Sequence, residues 1–262
     1  MYETELKICC QAARAAGLFI KKEFFKEQQK IAFKANSERV TKVDKGAEKI
    51  IFSYLRKYFP QYEMLSEESG LYKKNSSYEW VVDPLDGTTN FTIHHPMICT
   101  AIALLYKKQP VLGVIYAPLL DEMYYATKGQ GAWRNGKKLI SSAAQQIKTS
   151  VVTYCHGVGP ANTKKAYALY KHFHNITRHC RHFGSTSLEL AMLAAGYTQV
   201  HLVTGARLWD VAAGIIMVRE AGGLVTDWKN KSWHKDSTTI LAAANKKMQI
   251  FGRRELRKLK LV

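Results

Sequence analysis

Trp80-Val81-Val82-Asp83-Pro84-Leu85-Asp86-Gly87-Thr88-Thr89-Asn90-Phe91 is an apolar run that stops on two carboxylates three residues apart, followed by glycine, two hydroxyls and an amide. Val and Trp suit a buried strand, and an Asp at the end of such a strand stays charged only with a partner. Two Asp side chains aimed the same way repel unless a cation lies between them. Hard divalent ions such as Mg²⁺ take oxygen ligands of this kind, usually a few carboxylates completed by substrate phosphate. Gly87-Thr88-Thr89 then offers backbone N–H groups and hydroxyls to an anion, more so where a helix begins. A metal beside a phosphate cradle makes a phosphoryl-transfer site.

Before this stretch, Leu6, Ile8, Cys9, Ala12, Ala13, Ala16, Phe19 and Ile20 recur at helical spacing within residues 4–29. A second helix is expected from Lys45 to Tyr58. Tyr62-Glu63-Met64-Leu65 reads as a short strand delivering Glu67 and Glu68. After the stretch, Met97 to Tyr106 and Val111 to Tyr116 read as a hairpin, and the turns at Gly129-Gln130-Gly131 and Asn135-Gly136 extend an antiparallel sheet. From about residue 150 strands alternate with helices, at 151–154, 162–174, 186–195, 200–203 and 210–221, the pattern of an α/β unit. The Gln/Lys/Ser stretch at 141–150 is the best linker. The expected division is therefore 1–145, antiparallel and carrying most of the acids, and 146–262, contributing Asp210.

With 262 residues, 47% of them apolar, the chain can build a full core. Its charged start, Met1-Tyr2-Glu3-Thr4-Glu5-Leu6-Lys7, lacks the apolar segment of a secretion signal, and no apolar run reaches the roughly 18 residues a bilayer requires. Five cysteines without Cys-x-x-Cys spacing fit reduced thiols in a cytoplasm. The net charge of +18 would steer phosphorylated substrates or polyanions towards the surface. Only the tail Arg253-Arg254-Glu255-Leu256-Arg257-Lys258-Leu259-Lys260 is dense enough to imply a nucleic-acid contact, and a cationic helix end accounts for it as well.

Three acidic positions stand where elements begin or end: Glu67 in Ser66-Glu67-Glu68-Ser69-Gly70, the Asp83/Asp86 pair, and Asp210 in Leu208-Trp209-Asp210-Val211. Singly, each has a plain structural account. Asp210 suits the first turn of a helix, Glu67-Glu68 a solvated turn, and Asp44 the N-cap of the helix at Lys45. His94-His95 could face the pocket, but the acids already specify a hard ion rather than the softer ions His prefers, so metal ligation is not expected of them. His172, His174, His179, Cys180 and His182 fit no zinc spacing, and surface or interface places are expected for them.

Taken together, Glu67-Glu68-Ser69, Asp83 to Phe91 and Trp209-Asp210-Val211-Ala212-Ala213-Gly214 resemble the inositol monophosphatase family, Mg²⁺-dependent and lithium-sensitive phosphatases. Gly129-Gln130-Gly131-Ala132 and Glu220-Ala221-Gly222-Gly223 extend the likeness over nearly the whole chain. The resemblance implies an α-β-α-β-α sandwich, a homodimer, a small phosphorylated metabolite as substrate, and two or three Mg²⁺ ions. It would give Glu67, Asp83 and the Leu85 carbonyl to the first metal, and Asp83, Asp86 and Asp210 to the second. A third, weaker ion would also use Glu67, with Glu68 nearby through water. Asp44 and Thr88 would orient the attacking water, with Glu67 as a further catalytic acid. Asp86, Gly87, Thr88, Ser185 and Asp210 would surround the phosphate. Arg181 matches a position near the family's dimer interface.

One position departs from the pattern. Members acting on inositol phosphate have a Glu seven residues before the last metal Asp, and this chain has Val203. Valine accepts no hydrogen bond from a ring hydroxyl, so discrimination among polyols is lost while the phosphate chemistry is kept. Fructose 1,6-bisphosphate, adenosine 3′,5′-bisphosphate, NADP, histidinol phosphate and glycerol phosphate are the alternative substrates. A binding role on RNA or the transcription machinery is the alternative of another class.

Overall fold

The computed structural model describes residues 2–26, 31–33 and 39–262, with backbone alone at 31–33 and 39–40. The chain opens with α1 (Glu3–Phe24), the short antiparallel pair β1 (Ile31–Phe33) and β2 (Arg39–Thr41), and α2 (Lys42–Tyr58). Positions 27–29, expected to continue the first helix, lie outside the described residues. Next come β3 (Glu63–Ser66), β4 (Gly70–Tyr72), β5 (Tyr78–Asp86) and the single helical turn α3 (Thr88–Thr92). β6 (Cys99–Tyr106), β7 (Gln109–Ala117), β8 (Glu122–Thr127), β9 (Ala132–Arg134) and β10 (Lys137–Lys138) follow as a meander. The later part runs β11 (Val152–His156), α4 (Pro160–Thr177), β12 (Cys180–Arg181), α5 (Thr186–Ala194), β13 (Val200–Thr204) and α6 (Leu208–Glu220). It ends with β14 (Leu224–Thr226), β15 (Thr239–Ala243) and α7 (Lys246–Lys258).

The larger sheet has the order β10-β9-β8-β7-β6-β5-β3-β4, the smaller β12-β11-β13-β15-β14. The expectation of an antiparallel first sheet needs one correction: β3 pairs with β5 in parallel, from Glu63 opposite Glu79 to Ser66 opposite Val82. That parallel register brings the residue after β3, Glu67, beside the end of β5, where Asp83 and Asp86 stand. In the second sheet β11 is parallel to β12 and β13, and β15 runs antiparallel to β13 and β14.

Alternation along the strands builds five layers. Trp80 and Val82 of β5 face α1 and α2 in one core, while Val81 points the other way, among Leu190, Val211 and Ile216 of α5 and α6. The same middle core receives Val203 and Ile240 of the second sheet. Their neighbours Leu202 and Leu241 turn outward onto Phe173 of α4 and Phe251 of α7. The order is thus helices, sheet, helices, sheet, helices. α6 can lie flat on β7 because Gly113 has no side chain: a Cβ there would sit 2.6 Å from the Ala213 carbonyl oxygen.

Candidate active site

β5 ends where its register with β6 slips between Asp83 and Asp86, and the chain turns through Gly87 at φ +90° into α3. A Cβ at Gly87 would lie 2.9 Å from the Met97 carbonyl oxygen, so only glycine makes this turn without strain. The turn aims Asp83, Asp86 and Thr88 into a cavity of about 580 Å³, which Glu67 and Asp210 also line. Glu67 reaches it from the turn after β3, a turn held by Glu48 of α2, whose Oε1 accepts from Ser69 N–H and Oγ at 3.1 Å each. Glu68 does not line the cavity. Asp210 is the third residue of α6, with Oδ2 accepting from Arg207 N–H at 3.3 Å, so it serves the helix's first turn and the cavity at once.

The capping role expected of Asp44 belongs to Thr41. Thr41 Oγ1 accepts from Val43 N–H, and Asp44 stands inside the first turn, where its Oδ2 accepts from Thr41 N–H and Oγ1 at 2.7 Å each. That arrangement leaves Asp44 Oδ1 for Thr88, whose hydroxyl lies 2.9 Å from it and 3.1 Å from the Leu85 carbonyl oxygen. The single hydroxyl proton is shared between two acceptors, and Thr88 lines the cavity.

Asp86 is anchored by the other half of the chain. Its Oδ2 accepts from Ser187 N–H at 2.6 Å and from Ser185 Oγ at 3.0 Å. Ser185, expected at the phosphate, is therefore buried with its hydroxyl on Asp86, and Thr186 lines the cavity in its place. Asn90 joins the two walls: its Nδ2 donates to the Met97 carbonyl at 2.8 Å and to the Phe183 carbonyl at 2.6 Å.

Crowding of acids sets the electrostatics. Burial lifts Asp83 well above the usual carboxylate range, and repulsion from Glu67, Asp86, Asp210 and Asp44 adds to it. Asp210 is raised by burial and then by Asp86 and Glu67. Asp86 is pushed up to about 6 by burial, with the serine donors pulling back. Asp44 is raised by burial against the hydrogen bonds of Thr41 and Thr88. Carboxylates gathered this way, with a backbone carbonyl at Leu85 beside them, form an all-oxygen donor set that suits hard cations such as Mg²⁺.

The opposite wall was not legible beforehand. Cys155, His156, Val158, His182 and Phe183 close the cavity there. His182, assigned from sequence to the surface or an interface, belongs to this wall, and His156 had drawn no notice. His94 packs edge-on against Phe24 at 5.2 Å, outside the cavity, and His172 pairs with Glu255 at 2.9 Å.

Behind the wall lies a second buried group, Cys155, Glu189 and His201, with one ligand-type atom from each within 4.8 Å of the others. Glu189 Oε1 accepts from Phe183 N–H at 2.9 Å, Gly184 N–H at 3.1 Å and Cys155 Sγ at 3.1 Å. Burial pushes Glu189 up to about 8 and His201 down to about 3. Glu189 thus holds the backbone of the wall. Its position inside a helix of mostly apolar residues was the available signal, since a buried Glu must find donors.

Comparison with known proteins follows the same lines. The sequence profile described as "Inositol monophosphatase family" matches residues 1–259. The Nus factor SuhB of Pasteurella multocida is 35% identical over 244 residues, covering 91% of each chain. Inositol monophosphatase 2 of Solanum lycopersicum is 38% identical over 237 residues, covering 86% of this chain and 88% of its own. The solved inositol monophosphatase of Anabaena superimposes with a TM-score of 0.87 at 32% identity, covering 98% of this chain and 96% of that one. The layered fold, the motifs and this profile agree, and the chain belongs to the inositol monophosphatase family.

Proposed function

We propose that the protein hydrolyses a small phosphate monoester with Mg²⁺, using the cavity between Asp83 and His182. The observation that carries this reading is the sharing of the Thr88 hydroxyl between Asp44 Oδ1 and the Leu85 carbonyl, beside Glu67, Asp83, Asp86 and Asp210. Glu67, Asp83 and the Leu85 carbonyl would hold one ion, and Asp83, Asp86 and Asp210 would hold another. Bound Mg²⁺ supplies an acidified water and screens the charge on the phosphoryl and leaving oxygens. Asp44, buried and aimed at Thr88, keeps that hydroxyl oriented so that, as its lone pair takes a proton of the attacking water, its own proton passes to Asp44 Oδ1. The N–H groups of Gly87 and Thr88 point the phosphate in line. Ser185 and Ser187 fix Asp86 so that the acid does not turn away from the cavity.

Phosphate release from a panel of esters, with Mg²⁺ and with chelator, tests this. Loss of turnover in Asp83→Asn with the fold retained is the expected result, and near-normal turnover of that variant would overturn the metal assignment. Val203 supports a substrate other than inositol 1-phosphate, because it is buried at 2% exposure in the middle core and lines no part of the cavity. A homodimer and lithium sensitivity belong to the same reading. No helix among the described residues is long and apolar enough to cross a membrane.

A contact with RNA or the transcription machinery is favoured as an added role by the Nus-factor name of relatives and by the +18 charge. Deleting the basic tail is a poor test, because Glu255 and Leu256 are fully buried within α7. Charge reversal at the exposed Arg257 and Lys260 keeps the helix, and RNA affinity that falls with both salt and this change is the expected sign.

A further inference from the structure

The wall facing the acids is a flat stack of rings. Tyr154 and His182 stack with centroids 5.2 Å apart and planes 22° from parallel, and His182 and His156 continue the stack at 5.8 Å and 20°. Tyr154 and His156 point to the same face of β11, two residues apart, and the turn before α5 slides His182 between them. The last ring is oriented by its own loop. His156 Nδ1 lies 3.0 Å from the Gly157 carbonyl oxygen, which can only accept, so Nδ1 carries the proton. His156 is exposed, and both imidazoles line the same cavity as the carboxylates and Thr88.

The remaining groups on this side narrow what such a wall can recognise. Cys155, Val158 and Phe183 add sulfur and apolar surface, and the Asn90 amide is occupied by the Met97 and Phe183 carbonyls. No Lys or Arg lines the cavity among the described residues, so a second phosphate finds no fixed cation there. Burial and the neighbouring His156 lower the pKa of His182, which favours its neutral form. A polyol needs a fan of donors and acceptors, whereas this wall offers ring faces.

We propose that His156, backed by His182, is a specificity-determining residue that stacks on the leaving group, and that the substrate's alcohol carries a flat aromatic or heteroaromatic ring. This rests on the phosphatase reading and names the substrate class of that same site. A ring lying on His156 extends the stack by one step while the phosphate sits at Gly87 and Thr88. Aromatic faces recognise flat rings without demanding a hydrogen-bond pattern, so the selectivity is for shape.

The test uses the full chain with Mg²⁺ and three esters of primary alcohols: phenethyl phosphate, cyclohexylethyl phosphate and glycerol phosphate. The first two leave alcohols of similar basicity and apolarity and differ in flatness. The wild type should favour phenethyl over cyclohexylethyl phosphate by about tenfold in kcat/KM, the order expected for one stacked ring. His156→Ala should remove that preference, lowering kcat/KM about tenfold more for phenethyl phosphate than for glycerol phosphate, and His156→Phe should restore it. Equal rates on the two ring esters, or an equal loss on all three in His156→Ala, would overturn the proposal. So would a preference for a doubly phosphorylated ester, glycerol 1,3-bisphosphate added to the panel, over both ring esters, which would make the imidazoles an anion clamp. If the wild type turns over no ester at all, the phosphatase reading fails instead. Equilibrium binding of phenethyl phosphate to wild type and His156→Ala then decides the stack, and equal affinities overturn it.

Discussion

Thr88 Oγ1 lies 2.9 Å from Asp44 Oδ1, a bond between residues 44 positions apart that ties the first turn of α2 to the start of α3. Because the other oxygen of Asp44 is committed to Thr41, the carboxylate cannot rotate to follow another partner. Thr88→Ala and Asp44→Asn should each lower kcat by about 10²- to 10⁴-fold, the range for a lost proton-handling group, with KM little changed. Thr41→Ala separates the two duties of Asp44: it should cost about 1 kcal/mol of stability as a lost cap while keeping most of kcat. Steady-state phosphate release beside thermal melts distinguishes them.

Asp83 is 2% exposed among four other acids, so its charge destabilises the metal-free fold. Asp83→Asn keeps an oxygen for the Leu85 N–H, which lies 3.1 Å away. In chelator this variant should melt roughly 2–6 °C above the wild type, corresponding to about 1–2 kcal/mol. Added Mg²⁺ should raise the wild-type melt, by an amount that grows with the logarithm of its concentration above Kd, and barely move the variant. A variant that melts lower than wild type in chelator would contradict the crowding account.

Stability of the metal-free protein should fall as pH rises through the range where Glu189 ionises. Its folded pKa of about 8 lies above the ordinary 4.5, so its favourable contribution is complete below 4.5 and is lost through 8. His201 acts in the opposite sense. Its folded pKa of about 3 lies below 6.5, so its contribution is complete above 6.5 and is lost as pH falls towards 3. Between pH 6.5 and 8 only the Glu189 effect remains of the two. Glu189→Gln should flatten the decline in that window, by up to about 1.4 kcal/mol per pH unit. Melts of wild type and variant in chelator at several pH values measure it, and parallel curves would count against the buried Glu189.

Asn90→Ala removes the amide that donates to the Met97 and Phe183 carbonyls, leaving two carbonyls on the cavity wall without their partner. The expected loss is about 1–3 kcal/mol of stability. Activity should fall further than stability alone explains, because the wall carrying His182 and Phe183 loses its tie to the Asp83–Thr88 turn. Asn90→Asp, which cannot donate, should behave like Ala rather than like wild type.

Much of this site could be read along the chain because its residues are local in sequence. Asp83, Leu85, Asp86, Gly87 and Thr88 come from one strand end and one turn, where spacing alone dictates what can face the same way. Several strands and helices also followed from period and punctuation, among them the β6–β7 hairpin and α6, which starts at Leu208, two residues before the expected 210. What escaped was decided across the fold. The parallel pairing of β3 with β5 depends on register between segments, which no local pattern carries. Thr41 displaced Asp44 as the cap because the helix begins three residues earlier than its apolar spacing indicated. Ser185 and His182 exchanged their expected places, buried donor for surface ring, because the turn before α5 rotates each towards a partner nearly a hundred residues away or on another strand. Glu189, which no motif marks, is an acceptor for two backbone amides of the wall.

The anchoring of Asp86 has a consequence for when the site comes into being. Its two serine donors follow it by 99 and 101 residues, and Asp210 comes later still. A chain emerging from the ribosome carries the whole Asp83–Thr88 turn long before those donors are made, and during that interval its acids have neither their geometry nor their serine partners. Assembly of the second sheet is therefore the event that creates the site, so a fragment ending before α5 should fold part of the core and bind neither metal nor phosphate.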